Sequence, residues 1–349
     1  MAAPEIFCIR YTFVSSSFQV FLVCGTCLFR VTCATMHHGS GRAKVIGFSE
    51  VLNTNFFSYV EGKMAEPIMR KVKGEGVSIQ VAIWEGKGKP ILCIHGLTAN
   101  CRCWDVIASE LIPEHKVIAM DLRGRGQSDK PEKGYSIHIH CNDIRGVLED
   151  LGLKPSVLMG HSLGAFISVV FASRYPEWVD SLILVDGGGK LNPEQFAKVF
   201  AGIKPSLDRL GKVFSSFEEY VGAMKQAPFL QPWMPALDVY YRYEVEELEG
   251  GKVRPVIRPE TIDEESASLV GIDISDYYHS VKCPTLILRA TEGLLTGDDL
   301  VLPEEAAQRM VKEIPEARLV NLEGTNHYTI LFKEIQERKN AILKFLSKG

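Results

Sequence analysis

A few side chains are of the types and in the spacings that could carry chemistry. Ser162 stands in "SVLMGHSLGAFISVV", with Gly160 two residues before it and Gly164 two after. The apolar residues ahead of it have the length of a buried strand. Behind it, Leu163, Phe166, Ile167, Val170 and Phe171 recur at the spacing of a helix face. Ser162 is therefore predicted at a strand-to-helix corner with no loop to spare. Such a corner lifts Oγ out of the sheet's carboxyl edge and aims the Leu163 N–H at the same point, at the positive end of the new helix. The competing reading is a serine that only caps the helix.

A serine hydroxyl is a weak nucleophile and needs a base, and the base needs a group to orient it. Among nine histidines, His327 in "LEGTNHYTI" suits the base, because it follows the last predicted strand and precedes the last helix. A loop there reaches the same sheet edge as Ser162. His161, next to the serine, is expected to point elsewhere, and His95 follows a strand but lies upstream. His138 and His140, with Cys141 and Asp143, invite a metal reading. Residues two apart on a helix do not share a face, which argues against a metal there.

The elements that must position these groups alternate between strand and helix. "SIQVAIWEG" alternates like a strand, after a turn marked by Gly74 and Gly76. "PILCIHG" is a short continuous apolar run, as in a strand buried on both faces. "HKVIAMDLRGRGQSD" gives a strand and a glycine-rich turn. Ile137 to Leu151 reads as a helix, "SVLMGHS" as a strand, Leu163 to Tyr175 as a helix stopped by Pro176, and "DSLILVDGGG" as a strand. Residues 189–275 break the rhythm. They are helical in pattern and rich in proline and aromatics, and read as a cap inserted between core strands. The order then resumes with "CPTLILRAT", a helix from Pro303 with Ala307, Met310, Val311 and Ile314 on one face, the strand "ARLVNLEG" and a helix from Tyr328 to Ser347. This order implies an α/β architecture, a mostly parallel sheet with helices on both faces. Its core spans residues 64–188 and 276–349.

Composition narrows the function classes. The 349 residues carry a formal net charge of −4, which offers no basic footprint for nucleic acid. Of nine cysteines, four lie at Cys8, Cys24, Cys27 and Cys33, and the total is odd and irregularly spaced. That pattern argues against a disulfide framework and for a reducing, cytoplasmic compartment. The apolar stretch Phe13 to Phe29 is interrupted by serines, Gln19 and Gly25, and is marginal as a membrane span or secretory signal. "MAEPIMRKVKGEG", from Met64, reads as a natural beginning, so residues 1–63 are expected to be a dispensable or disordered extension. A native product beginning at Met1 would refute this.

From Met64 onward, apart from the cap, the chain resembles the α/β-hydrolase superfamily. The marks are "HGLTAN" after the third strand, "DLRGRGQSD" after the fourth, "GHSLG" after the fifth and "GTNHYT" near the end. The resemblance implies a second oxyanion donor from the loop after "HG", which would be the Leu97 N–H. It also implies a structural role for the "DLRGRGQSD" turn, whose glycines open no helix and so form no dinucleotide fingerprint. Members of the superfamily place their acid between serine and histidine in chain order, usually just after the strand matching "TLILRAT". Here that strand runs into "EGLLTGDDLVLPEE", a longer loop than usual. Asp299 keeps the four-residue spacing to Pro303 and is the first choice for the acid. Asp298 and Glu292 share its loop. Asp186, at the end of "LILVD", is the rival, because some relatives draw their acid from the strand before the cap; its bland reading is a solvated strand end.

These residues suit acyl transfer to water through Ser162, His327 and an acid, with Leu97 and Leu163 as oxyanion donors; the chemistry requires no metal or organic cofactor. A small to medium carboxylic ester is the expected substrate, and no nucleic acid or stable membrane span is expected. Hydrolysis of a carbon–carbon bond in a diketone is the alternative among enzymes. A hydrolase-fold protein that binds ligand without turnover is the alternative from another class. Phe229, Trp233 and Tyr240 in the cap suit either an apolar substrate or the cap's own core.

Overall fold

The computed structural model describes residues 9–14, 17–24, 27–34 and 65–347. Strands Ile9–Val14, Ser17–Cys24 and Cys27–Ala34 pair antiparallel in chain order, in a unit of their own. The expectations for the start at Met64 and for the remainder of residues 1–63 lie outside the described residues.

The main unit is built on eight strands. In chain order they begin with β1 (Ile68–Lys73), β2 (Ser78–Trp84), β3 (Gly88–Ile94), β4 (His115–Met120), β5 (Ser156–His161) and β6 (Val179–Val185). A short antiparallel hairpin, β7 (Val245–Glu247) and β8 (Val253–Pro255), lies apart from the sheet. The sheet is completed by β9 (Thr285–Ala290) and β10 (Ala317–Leu322), giving the order β10-β9-β6-β5-β3-β4-β2-β1. Its pairings are parallel except those that β2 makes to β1 and β4. This is the architecture expected from the strand–helix alternation.

Helices α1 (Asp105–Leu111), α2 (Ile137–Leu151) and α3 (Leu163–Arg174) follow β3, β4 and β5. Between β6 and β9 comes an insertion with α4 (Pro193–Gly202), α5 (Lys204–Asp208), α6 (Phe217–Met224), α7 (Pro235–Glu244) and α8 (Pro259–Val270). The chain ends with α9 (Glu304–Glu313), α10 (Thr329–Phe332) and α11 (Gln336–Leu346). Period-two alternation in the strands sorts the core into two halves. Ile91, Cys93, Val157 and Met159 join α1 and α11 on one face. Leu92, Ile94 and Leu158 join α2, α3 and α9 on the other. Because both faces are covered, the central strands are apolar throughout.

Several elements differ from the sequence reading, among them α1, since that reading places no helix between β3 and β4. Strand β1 is an edge strand with only Val72 buried, so "IMRKVK" carries too much charge to register as sheet. The insertion contains the β7–β8 hairpin as well as helices. The closing helix is two pieces: Lys333 is extended, and the Glu110 carboxylate accepts the freed Ile335 N–H at 3.2 Å while also pairing with Arg338.

The turn after β4 is closed around Asp121. Its carboxylate accepts the N–H of Cys101 at 2.7 Å, that of Gln127 at 2.8 Å and the Tyr243 hydroxyl at 2.6 Å. A Cβ on Gly126, at φ +46°, would overlap that carboxylate. The structural role implied for this turn has its basis there. No helix among the described residues is long and apolar enough to cross a membrane.

Candidate active site

Ser162 directly follows β5 at φ 55°, ψ −120°, a conformation that costs a non-glycine residue on the order of 1–3 kcal/mol. Its surroundings hold it there. The Ser162 N–H donates to the Val185 carbonyl at 3.2 Å, and its carbonyl accepts the N–H of Ala165 at 2.9 Å. Three glycines make room for the corner. A Cβ on Gly160 would overlap the Gly164 carbonyl, one on Gly164 the Ile94 carbonyl, and one on Gly187 would lie 2.6 Å from the Ser162 carbonyl oxygen. Each obstacle is backbone and cannot rotate away. Gly164→Ala is therefore expected to destabilise the fold by ~3 kcal/mol or more, read as a lowered urea midpoint; an unchanged midpoint would refute this close packing.

His327 sits in the loop between β10 and α10, buried. Its Nδ1–H donates to Asp186 Oδ2 at 2.7 Å. Asp186, at the end of β6, is not a solvated strand end: it is 1% exposed and takes φ 43°. Its Oδ1 accepts the Ala290 N–H at 3.1 Å, so both carboxylate oxygens have partners. With Nδ1 committed to the carboxylate, the neutral imidazole carries its lone pair on Nε2, the tautomer a general base requires.

Asp299, the first choice from spacing, is not brought to His327. Its carboxylate accepts the backbone N–H groups of Leu294 at 2.8 Å, Leu295 at 2.7 Å and Thr296 at 3.3 Å. Burial opposes its ionisation, but these three donors prevail and hold its pKa below the usual carboxylate range. Asp299 thus closes its own loop. Asp298 pairs with Lys198 at 2.9 Å, and the exposed Glu292 engages the loop through its N–H to the Thr325 carbonyl. The longer loop after β9 folds around its own aspartate, so the carboxylate that motif spacing selects is not the one that meets His327.

His161 also departs from expectation. Its ring stacks on His327 with centroids 4.3 Å apart, and its Nε2–H donates to the His327 carbonyl at 2.9 Å. Burial, reinforced by His327, pushes its pKa well down, so it stays a neutral ring bracing its neighbour. Sequence reasoning missed this contact, and no spacing in the chain signals it.

The loop after β3 lies against the serine. A Cβ on Gly96 would sit 3.1 Å from Ser162 Cβ and 3.5 Å from its Oγ. His95, fully buried, accepts the Leu122 N–H on Nε2 at 3.0 Å and donates from Nδ1 to the Gly96 carbonyl at 2.7 Å. Burial lowers its pKa to about 3, so it keeps that neutral tautomer. In a trans peptide the N–H points opposite to the preceding C=O, so fixing the Gly96 carbonyl also aims the Leu97 N–H. The Leu163 N–H, first in α3, has no intrahelical partner. The peptide that carries the Leu97 N–H is thus anchored in the loop that lies against Ser162, and the Leu163 N–H stands at the start of the helix that follows it.

The remaining candidates have structural partners. His140 Nε2 meets Glu265 at 2.8 Å, Asp143 pairs with Arg123 at 2.6 Å, and His138 is exposed beside Arg174. Phe229 stacks on Tyr328, Trp233 on Tyr241, and Tyr240 packs edge-on against Phe332. These rings hold the insertion together and seat it on the loops at the sheet's carboxyl edge.

A family model for the alpha/beta hydrolase fold matches residues 89–334. The chain belongs to the α/β-hydrolase family. It is 29% identical over 247 residues to 2-(acetamidomethylene)succinate hydrolase of Mesorhizobium japonicum, a match covering 70% of this chain and 83% of that protein. A serine hydrolase-like protein of Danio rerio is 28% identical over 69% of this chain and 76% of its own length. A crystal structure of E-2-(acetamidomethylene)succinate hydrolase superposes with a TM-score of 0.70 at 25% identity, covering 80% of this chain and 99% of that one.

Proposed function

We propose that the protein is a serine hydrolase that cleaves a carboxylic ester of small to medium size through an acyl-enzyme. One pair of observations carries the reading: Ser162 is held in a strained corner, and His327, stacked on the ring of the neighbouring His161, has its Nδ1 already committed to the buried Asp186 carboxylate, one residue before the Gly187 that abuts the Ser162 backbone. His327 Nε2 removes the Ser162 hydroxyl proton as Oγ bonds to the substrate carbonyl carbon. The carbonyl π pair moves onto oxygen, which the N–H groups of Leu97 and Leu163 receive. When the tetrahedral adduct collapses, the bond to the leaving alkoxide breaks and His327 delivers its proton there. Water, deprotonated by the same Nε2, then attacks the acyl-serine, and carboxylate departs with Ser162 reprotonated. Asp186 stabilises the imidazolium in both halves without itself taking the proton.

A second reading rests on the similarity to 2-(acetamidomethylene)succinate hydrolase, whose name gives it an acetamido-bearing diacid. The same nucleophile and oxyanion donors would serve an amide-type carbonyl. A kinetic panel separates the two: p-nitrophenyl esters of graded acyl length, an acetamido-substituted dicarboxylate and a ring-cleavage-type diketone. Highest kcat/KM on short to medium esters is the expected result. Preference for the acetamido diacid would select the second reading, and preference for the diketone would select carbon–carbon cleavage. Absence of turnover across the panel, with Ser162 still reactive toward a fluorophosphonate, would leave a binding protein.

A further inference from the structure

Two buried arginines grip consecutive carbonyls of the loop that carries the Leu97 donor, and both tie that loop to the insertion. Arg125, from the turn after β4, donates from Nε to the Leu97 carbonyl at 3.1 Å. Its guanidinium pairs with Glu265 of α8, whose other oxygen meets His140, and all three side chains are fully buried. Arg209, just after α5, donates to the Thr98 carbonyl at 2.8 Å and pairs with Glu244 at the end of α7 at 2.6 Å. Arg209 also donates to the Ser206 carbonyl, and the Ser206 hydroxyl meets the Tyr328 hydroxyl at 2.6 Å, one residue from His327.

Removing a guanidinium and a carboxylate from water is costly, and such a pair often contributes little to stability compared with apolar residues of similar size. The insertion could be seated by its aromatic contacts alone. What apolar packing cannot supply is a planar donor array that fixes a carboxylate and a carbonyl together. The loop needs that service, because a donor misplaced by about 1 Å loses much of its value to a developing oxyanion.

We propose that Arg209 is a positioning residue: held by Glu244, it fixes the loop after β3 so that the Leu97 N–H meets the oxyanion, with Arg125–Glu265 as the matching clamp on the preceding carbonyl. The insertion then does more than roof the site, since one half of the oxyanion hole is in register only while the insertion is docked. This inference rests on the acyl-transfer reading for its effect on rate, but not for its effect on the loop.

The test is the double variant Arg209→Met/Glu244→Leu in the full chain, with Arg209→Lys as a milder companion. The double variant removes both buried charges, and the lysine keeps a charge but cannot span both partners. Hydrogen exchange of the peptide spanning residues 95–100 is expected to be at least about tenfold faster in the double variant, while the thermal midpoint is retained in Arg209→Lys. On whichever ester the wild type turns over, kcat is expected to fall about 10- to 100-fold with KM within about threefold, because only a transition-state interaction is lost. Unchanged exchange in a folded variant would overturn the proposal whatever the activity. A rise in KM at constant kcat would overturn it too, by making Arg209 a substrate-binding group. If the wild type neither turns over any acyl substrate nor reacts with a fluorophosphonate, the acyl-transfer reading fails, and the exchange result still decides whether Arg209 sets the loop.

Discussion

Ser162→Ala is expected to lower kcat on the preferred ester by roughly 10⁵- to 10⁶-fold, because nothing else at the corner can form the acyl bond. The fold should be indifferent to the change. The hydroxyl makes no capping bond to α3, and an alanine inherits the same positive φ with the same Cβ. Its thermal midpoint should stay within about 2 °C of wild type. Ser162→Gly sharpens the contrast. Glycine takes φ 55° without a Cβ penalty, so this variant should be equally inactive yet more stable by about 1 kcal/mol. More than about one per cent of wild-type turnover in either variant would place the nucleophile elsewhere.

The second large effect separates two aspartates. Asp186→Asn is expected to cost about 10⁴-fold in kcat, because an amide at that position can present its N–H₂ to Nδ1 and stabilise the wrong imidazole tautomer. Asp299→Asn should leave kcat within a few fold. It should instead lower stability by about 1–3 kcal/mol, since a carboxylate accepting three backbone N–H groups becomes an amide with one acceptor oxygen. Kinetics and urea unfolding of the two variants, measured side by side, decide the matter. An inactive Asp299→Asn beside an active Asp186→Asn would reverse the assignment.

That contrast marks where the sequence is legible. The serine corner could be read because it depends on contacts between near neighbours: Gly160 and Gly164 have no room for a Cβ, and the strand and helix patterns meet at one residue. The core strands could be read because each is apolar on both faces. The carboxylate that meets His327 could not be read by spacing, since that pairing joins residues 141 apart, and the lengthened loop after β9 holds another aspartate at the usual distance from Pro303. A usable signal did stand in the chain, in the glycine run after Asp186. Gly187 has to be glycine because it abuts the Ser162 backbone, which places the end of β6 beside Ser162. The bracing of His327 by His161, and the arginines on the loop after β3, depend on side-chain directions that no periodicity encodes. Strand β1 escaped for a different reason: an exposed edge needs little apolar surface, so its charged sequence resembles a loop.

Site mapping of a fluorophosphonate adduct tests the account most directly. The reagent should phosphonylate the folded protein once, at the Oγ of Ser162, with the adduct found by tandem mass spectrometry on the peptide containing "GHSLG", and the label should be lost in Ser162→Ala. A label on any other residue, or a folded protein that hydrolyses esters yet leaves Ser162 unmodified, would contradict the account.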